Sequence, residues 1–210
     1  MATTTPNYGW DVPTSSDYVK LGAVAIETLG DDIDASLFSI TSGKNVGMVH
    51  IATTSFTTAS SVIFNNVFTS AFDNYVIKMK HTSSNTGSVV SMRLRVGGVD
   101  DSSSNYRYWG YNVLSTSGVT SYGNNATSVF LGSVTSASPV YAQHEIASPA
   151  LAENTTGSTL VSRLDGSNRM DFYGVGNIHT VNTAYDGFSM IAPGGQTITG
   201  TIRIYGLRNS

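Results

Sequence analysis

The chain has 210 residues, a net charge of −3 and only 12% charged residues, enough for one ordinary domain with an appendage and a real core. Its eleven Lys and Arg are scattered, leaving no basic footprint for nucleic acid. Cysteine is absent, which excludes disulfides and thiolate metal sites, and no run approaches the roughly 18 apolar residues that insertion in a membrane requires.

The opening stretch MATTTPNYGWD has neither a basic nor an apolar region, so no secretory signal is expected. Thr14 and Asp17 then stand in capping-box spacing ahead of an apolar pattern. Val19, Gly22, Ile26, Leu29, Ile33 and Ile40 follow steps of three and four, with Leu37 beside the seam. That spacing predicts a helix over residues 18–40 with one apolar stripe. Gly22 and Gly30 each weaken an isolated helix by about 1 kcal/mol relative to Ala, so this one needs support. Copies of the chain meeting at Val19, Ile26, Leu29 and Ile33 would supply it, and β-branched residues expected at both kinds of seam position lean toward a homotrimer. The helical pattern stops at Gly43 and residues 43–47 read as a hinge, giving an attachment and oligomerisation segment at 1–43 and a β domain at 44–210.

Ser and Thr make up about a quarter of the chain, a mix that favours a turn-rich β protein. Period-two alternation recurs after residue 47. Ile77 and Met79 should face inward and Lys78 and Lys80 outward. Met92, Leu94 and Val96 should oppose Arg93 and Arg95, and Ile198, Ile202 and Ile204 share a face that Gly200 interrupts. Further strands are expected at 48–54, 62–67, 106–114, 129–134, 140–147, 159–164, 169–175 and 187–191. Turns are expected at 83–87, 100–104, 122–125, 165–168 and 193–195, with Asp165-Gly166 a hairpin signal. The fold class is mainly β: an antiparallel β-sandwich, jelly-roll-like, preceded by a short N-terminal α-helix.

Signals for chemistry are sparse. His50, His81, His144 and His179 show no metal-ligand spacing, and His144-Glu145 lacks the second histidine of a metalloprotease helix. Asp100-Asp101 reads as a solvated turn in preference to a calcium loop. No nucleophile elbow or phosphate loop occurs. No catalytic residue, metal or cofactor is expected, and the chain is read as a non-enzyme. The segment 105–111 is the best candidate for recognition. On a strand Tyr106, Tyr108 and Gly110 share one face, while Arg107, Trp109 and Tyr111 share the other. Tyr and Trp suit sugar rings or protein partners. Tyr141, Tyr173, Tyr185 and Phe188 are expected in the core.

Residues 6–13, with Tyr8 and Trp10, carry an aromatic-Pro opening. The steps Asp17-Tyr18-Val19-Lys20-Leu21-Gly22-Ala23 and Ile26-Glu27-Thr28-Leu29-Gly30-Asp31-Asp32-Ile33-Asp34 follow. This stretch resembles the N-terminal segment of bacteriophage virion proteins of the tail-fibre-like or minor structural type. Residues 47–79 are similar to the β-domain opening that follows it in such proteins. The resemblance implies a virion protein assembled in the bacterial cytoplasm, whose partners are other virion proteins. Tyr8, Trp10, Tyr18, Val19, Ile26, Leu29, Ile33 and Leu37 would serve docking and assembly. Tyr106, Arg107, Tyr108, Trp109 and Tyr111 would meet a host-surface receptor or glycan. The other reading is a capsid decoration or collar or tail-junction protein with purely structural contacts.

Overall fold

The computed structural model describes every residue except 1–2, 15–17, 42–46, 85–88, 115–116, 134–137, 166, 193 and 209–210. Asp17 of the expected capping box, the hinge positions 43–46 and Gly166 of the expected hairpin lie outside the described residues. The chain divides into two compact units, Met1–Gly47 and Met48–Asn209. In the first, β1 (Thr3–Thr4) pairs with β2 (Asp11–Val12), and α1 runs Val19–Thr41. The aromatic-Pro opening is therefore the turn of a small hairpin, which the sequence pattern did not suggest.

The second unit contains β3 (Met48–Ala59), β4 (Ser61–Phe64), β5 (Phe72–Ser83), β6 (Val89–Val96) and β7 (Val99–Asp100). It continues with β8 (Tyr106–Leu114), β9 (Ser117–Ala126), β10 (Val129–Ser133), β11 (Val140–Ala147) and β12 (Thr155–Leu164). It ends with β13 (Met170–His179), β14 (Gly187–Ile191) and β15 (Ile198–Arg208). One sheet has eight strands in the order β3-β15-β5-β11-β12-β13-β8-β9; the other runs β10-β6-β14-β4, with β7 on β6. All the pairings are antiparallel.

The strand order is that of a jelly roll with additions. Taking β3, β4, β5, β6, β10, β11, β14 and β15 as first to eighth, one sheet reads first-eighth-third-sixth and the other second-seventh-fourth-fifth. The remaining long strands, β12, β13, β8 and β9, widen the first sheet beyond β11.

Alternation explains how the sheets close on each other. Tyr75, Ile77 and Met79 are buried from β5, while Lys78 and Lys80 are exposed. Ile198, Ile202 and Ile204 are buried from β15. They meet Val62 and Phe64, Val90, Met92 and Leu94, Leu131, and Phe188 and Met190 from the opposite sheet. Phe64 stacks on Phe188 at 4.7 Å between ring centroids. Each fully buried side chain of this size is worth about 1.5–3 kcal/mol, so the core outweighs any single surface contact.

Two alternation expectations need correction. Val96 is exposed and Arg95 is buried, because β6 ends in a two-residue turn. Val96 pairs with Val99, and Gly97 and Gly98 take φ of 58° and 80° as such a hairpin requires. Arg95 folds under that turn, donating to Asp100 Oδ1, the Gly98 carbonyl and Asn65 Oδ1. Residues 122–125 are not a turn between strands; they belong to β9. Gly123 is needed there because a Cβ would lie 2.3 Å from Tyr108 Cε1.

Candidate functional site

In the N-terminal unit Tyr8 and Trp10 stack at 5.1 Å with 19° between their planes. The hairpin holds them, since the Trp10 amide donates to Thr5 Oγ1 at 3.0 Å and the Thr5 amide donates to the Trp10 carbonyl at 2.9 Å. Tyr8 and Tyr18 are exposed. Along α1 the expected stripe is largely exposed: Val19 is 94% exposed and Ile26 63%, with Ile33 and Leu37 also exposed and Leu29 half-buried. Apolar groups of this size left in water have given up the stabilisation that burial offers.

The helical register sorts the stripe into two rows. Val19, Ile26, Ile33 and Ile40 recur every seven residues, and Gly22, Leu29 and Ser36 form the second row. β-branched residues thus fill one row only, and the second holds a single Leu between two small residues. A trimer is favoured by β-branched residues in both rows, whereas β-branched against Leu is associated with two strands. The expected homotrimer draws no support from this pattern.

The aromatic segment is split by the pleat of β8. Tyr106 is fully buried; its hydroxyl donates to the Asp101 carbonyl at 2.9 Å and accepts from the Leu94 amide at 3.0 Å. It is a core residue and cannot meet a ligand. Tyr108 is half-buried with its ring over Gly123. Arg107, Trp109 and Tyr111 are exposed on the outer face of the eight-stranded sheet, Trp109 at 65% and Tyr111 at 54%.

The neighbours of these outer residues define a groove. Trp109 stands opposite Gly176, Tyr111 opposite Gly174 and Arg107 opposite Ile178. The Tyr111 ring lies on Gly174, where a Cβ would sit 2.9 Å from Tyr111 Cζ. At Gly176 the nearest atom to an added Cβ is the Trp109 carbonyl oxygen, 3.9 Å away, so that floor is open. The resulting groove of about 540 Å³ is lined by Arg107, Trp109, Asn124, Gly176, Asn177 and Ile178 among others. Asn177 stands opposite Tyr108 on the inward side of β13, and its side-chain nitrogen is buried without a hydrogen-bond partner among the described residues. An indole wall, a glycine floor, a guanidinium and the exposed Asn124 amide form a surface that can stack a sugar ring and bond its substituents.

The strand alternation between Trp109 and Gly176 was not legible, because glycines at 157, 174 and 176 interrupt the apolar pattern of β12 and β13. Tyr141, expected in the core, is 53% exposed on the same outer face, with the Lys80 ammonium 5.6 Å from its ring centroid. Tyr173, Tyr185 and Phe188 are buried as expected.

The remaining candidates serve the interior. Asp100 pairs with Arg95 and accepts from Ser189 Oγ at 2.9 Å. Asp101 Oδ1 accepts from the Ser103 amide at 2.9 Å and Oδ2 from the Tyr185 hydroxyl at 2.6 Å. The acidic pair is therefore an internal brace, not the solvated turn expected. For Asp101 the largest influence, burial, raises the pKa, but hydrogen bonds from Ser103 and Tyr185 outweigh it and the net shift is downward. His179 Nε2 lies 3.3 Å from Asp101 Oδ2, and burial nonetheless lowers its pKa. His81 and His144 are buried and their pKa values are pushed down to about 4 by desolvation. His50 is exposed on β3.

Among the described residues, no three or more His, Asp or Glu side chains converge as a metal site would require. No helix among them is long and apolar enough to cross a membrane. Comparison with protein families finds no family model that matches this chain, and comparison with curated proteins finds no match either.

Proposed function

We propose that this chain is a bacteriophage virion protein of the tail-fibre or fibre-tip type. Its N-terminal segment docks and oligomerises it in the particle, and its jelly roll faces the host surface. The observation that carries this reading is the exposed apolar stripe of α1, with Val19 and Ile26 mostly in water. A stripe of heptad spacing has the geometry for packing against partner helices. The resemblance of residues 6–79 to such proteins supports the same assignment. On the sandwich, the groove between Trp109 and Gly176 is the surface suited to a host glycan or receptor.

Deletion of residues 1–43 tests the docking role. The remaining chain should fold as a sandwich and fail to enter particles; normal incorporation refutes the assignment. Light scattering on the full chain tests oligomerisation. A molar mass near three times 22.2 kDa supports the homotrimer, one near two times 22.2 kDa replaces it with a dimer, and a monomer assigns the stripe to a different virion protein.

A decoration or collar protein is the second reading. Leu160, Leu164 and Met170 are exposed on the outer sheet face beside Tyr111, and such apolar groups suit contact with another virion subunit. Host-cell binding by the purified chain separates the two.

A further inference from the structure

The outer sheet face at β15 and β5 carries a charge arrangement that the fold does not require. Lys78 on β5 and Arg203 on β15 are direct cross-strand partners, and both are exposed. Lys80 lies one pleat further along the same face, opposite Thr201 and Tyr141. Like charges placed directly opposite each other destabilise a sheet. Neither Lys78 nor Arg203 has an ion-pair partner among the described residues. By register Glu145 is the one carboxylate on this face among them, and it accepts from Gln143 Nε2 at 3.1 Å instead of meeting a cation. Arg107, beside the Trp109 groove, adds a fourth cation to the face. A chain with net charge −3 thus concentrates positive charge on one surface.

The surroundings of these cations are those of a carbohydrate site. Lys78, Gln143, Tyr141, Leu160, Ser162 and Phe172 line a groove of about 380 Å³. Lys80 continues into a second groove, of about 340 Å³, edged by the hydroxyl-bearing side chains of Ser55, Thr57, Thr82, Thr199 and Thr201. Strands in a sheet lie about 4.8 Å apart, so β15 to β8 carries this surface across roughly 24 Å, the length of several sugar residues.

We propose that the outer face of the eight-stranded sheet binds an acidic polysaccharide, with Lys78, Arg203 and Lys80 receiving its carboxylates. The occupant is a polyanion because an anionic ligand offsets the Lys78–Arg203 repulsion where a neutral one does not. It is a sugar polymer because hydroxyls, amides and exposed aromatic rings flank the cations. Nucleic acid fits less well, since phosphate binding draws on many more cations than these four. This inference deepens the adhesin reading by naming the ligand's charge and a contact separate from Trp109.

The test uses the full chain and titration calorimetry with alginate, neutral dextran, polyglutamate and single-stranded DNA as probes. Alginate should bind best, and its affinity should fall with added salt. Lys78→Gln with Arg203→Gln, both at exposed positions, should weaken alginate binding by about tenfold or more. Arg203→Lys should keep most of it. Equal affinity of the double variant for alginate, or of the native chain for alginate and dextran, overturns the proposal. Polyglutamate binding as well as alginate removes the sugar, and tighter DNA binding replaces it. A change in molar mass of the double variant, without a change in affinity, reassigns the face to a second copy of the chain. Trp109→Ala reports separately on the adhesin reading. Host-cell binding lost in that variant but kept in the double variant sinks the acidic-ligand proposal alone.

Discussion

Trp109 and Gly176 stand directly opposite each other across the β8–β13 ladder, so the indole borders a floor that has no side chain. An added Cβ at 176 meets nothing closer than 3.9 Å. Gly176→Val should therefore fold normally, with stability changed by no more than about 0.5 kcal/mol, as for most surface substitutions. It should nonetheless fill the groove and abolish host-surface binding. Gly110→Ala makes the contrast, because its Cβ would lie 2.4 Å from the Gly174 carbonyl oxygen. Overpacking of that kind should cost about 3 kcal/mol or prevent folding. Thermal melts and cell-binding assays on the pair check this. Undiminished binding by Gly176→Val removes the groove from the recognition surface.

A second prediction concerns a charge held inside the sandwich. Asp171 is fully buried and accepts from Arg163 Nε at 2.9 Å and Arg163 Nη2 at 2.7 Å; Arg163 Nη2 also donates to the Tyr173 hydroxyl at 2.7 Å. The two residues are register partners on β12 and β13. Asp171→Ala leaves Arg163 buried without this carboxylate and should cost about 3–5 kcal/mol in urea unfolding, whereas replacing both by apolar residues should cost far less. A loss below about 1 kcal/mol for the single change would show that water reaches Arg163.

How much of this was readable before folding depended on side chains that repeat. The alternation of Ile77 and Met79 with Lys78 and Lys80 announced β5, and three isoleucines announced β15, because period two is written in bulky residues. β9 was unreadable: Tyr122-Gly123-Asn124-Asn125 has turn composition, and Gly123 is there to admit the Tyr108 ring. The face assignments around residues 106–111 followed from the pleat alone. Their partners Gly174 and Gly176 did not, since a glycine floor leaves no apolar signal. The Lys78–Arg203 pairing was invisible for a different reason, because it joins residues brought together only by the strand order of the jelly roll.

Acid should weaken the sandwich through its histidines. His144 donates or accepts at Nδ1 with Thr159 Oγ1, 2.9 Å away, while its Nε2 and both nitrogens of His81 lack partners among the described residues. Burial pushes both pKa values down to about 4, against roughly 6.5 in the unfolded chain. Between those values the unfolded chain holds more protons, so stability is full above about pH 6.5 and falls as pH drops through about 4. The shift corresponds to about 3 kcal/mol per histidine at the acid limit. The downward shifts of His179 and Asp101 act in the same direction. Urea midpoints measured from neutral pH down to about 4 should decline steadily, and His81→Leu should remove part of the decline without loss at neutral pH. A flat profile would mean that these rings are already hydrated in the folded protein.

The helix offers the sharpest separation of assembly from folding. Ile26 and Ile33 lie seven residues apart on the exposed stripe of α1, in a compact unit distinct from the sandwich. Changing both to Ser removes apolar surface from the seam and leaves the residues of the sandwich unchanged. If the stripe joins copies of the chain, Ile26→Ser with Ile33→Ser should reduce the light-scattering mass to 22.2 kDa. The melting of the sandwich should stay where it was, because each unit carries its own contacts. Far-ultraviolet circular dichroism should lose helix at the same time, since a lone helix of this length with two internal glycines is marginal in water. An unchanged oligomer would place the subunit contact on the sandwich, and the stripe would then be free to receive another virion protein.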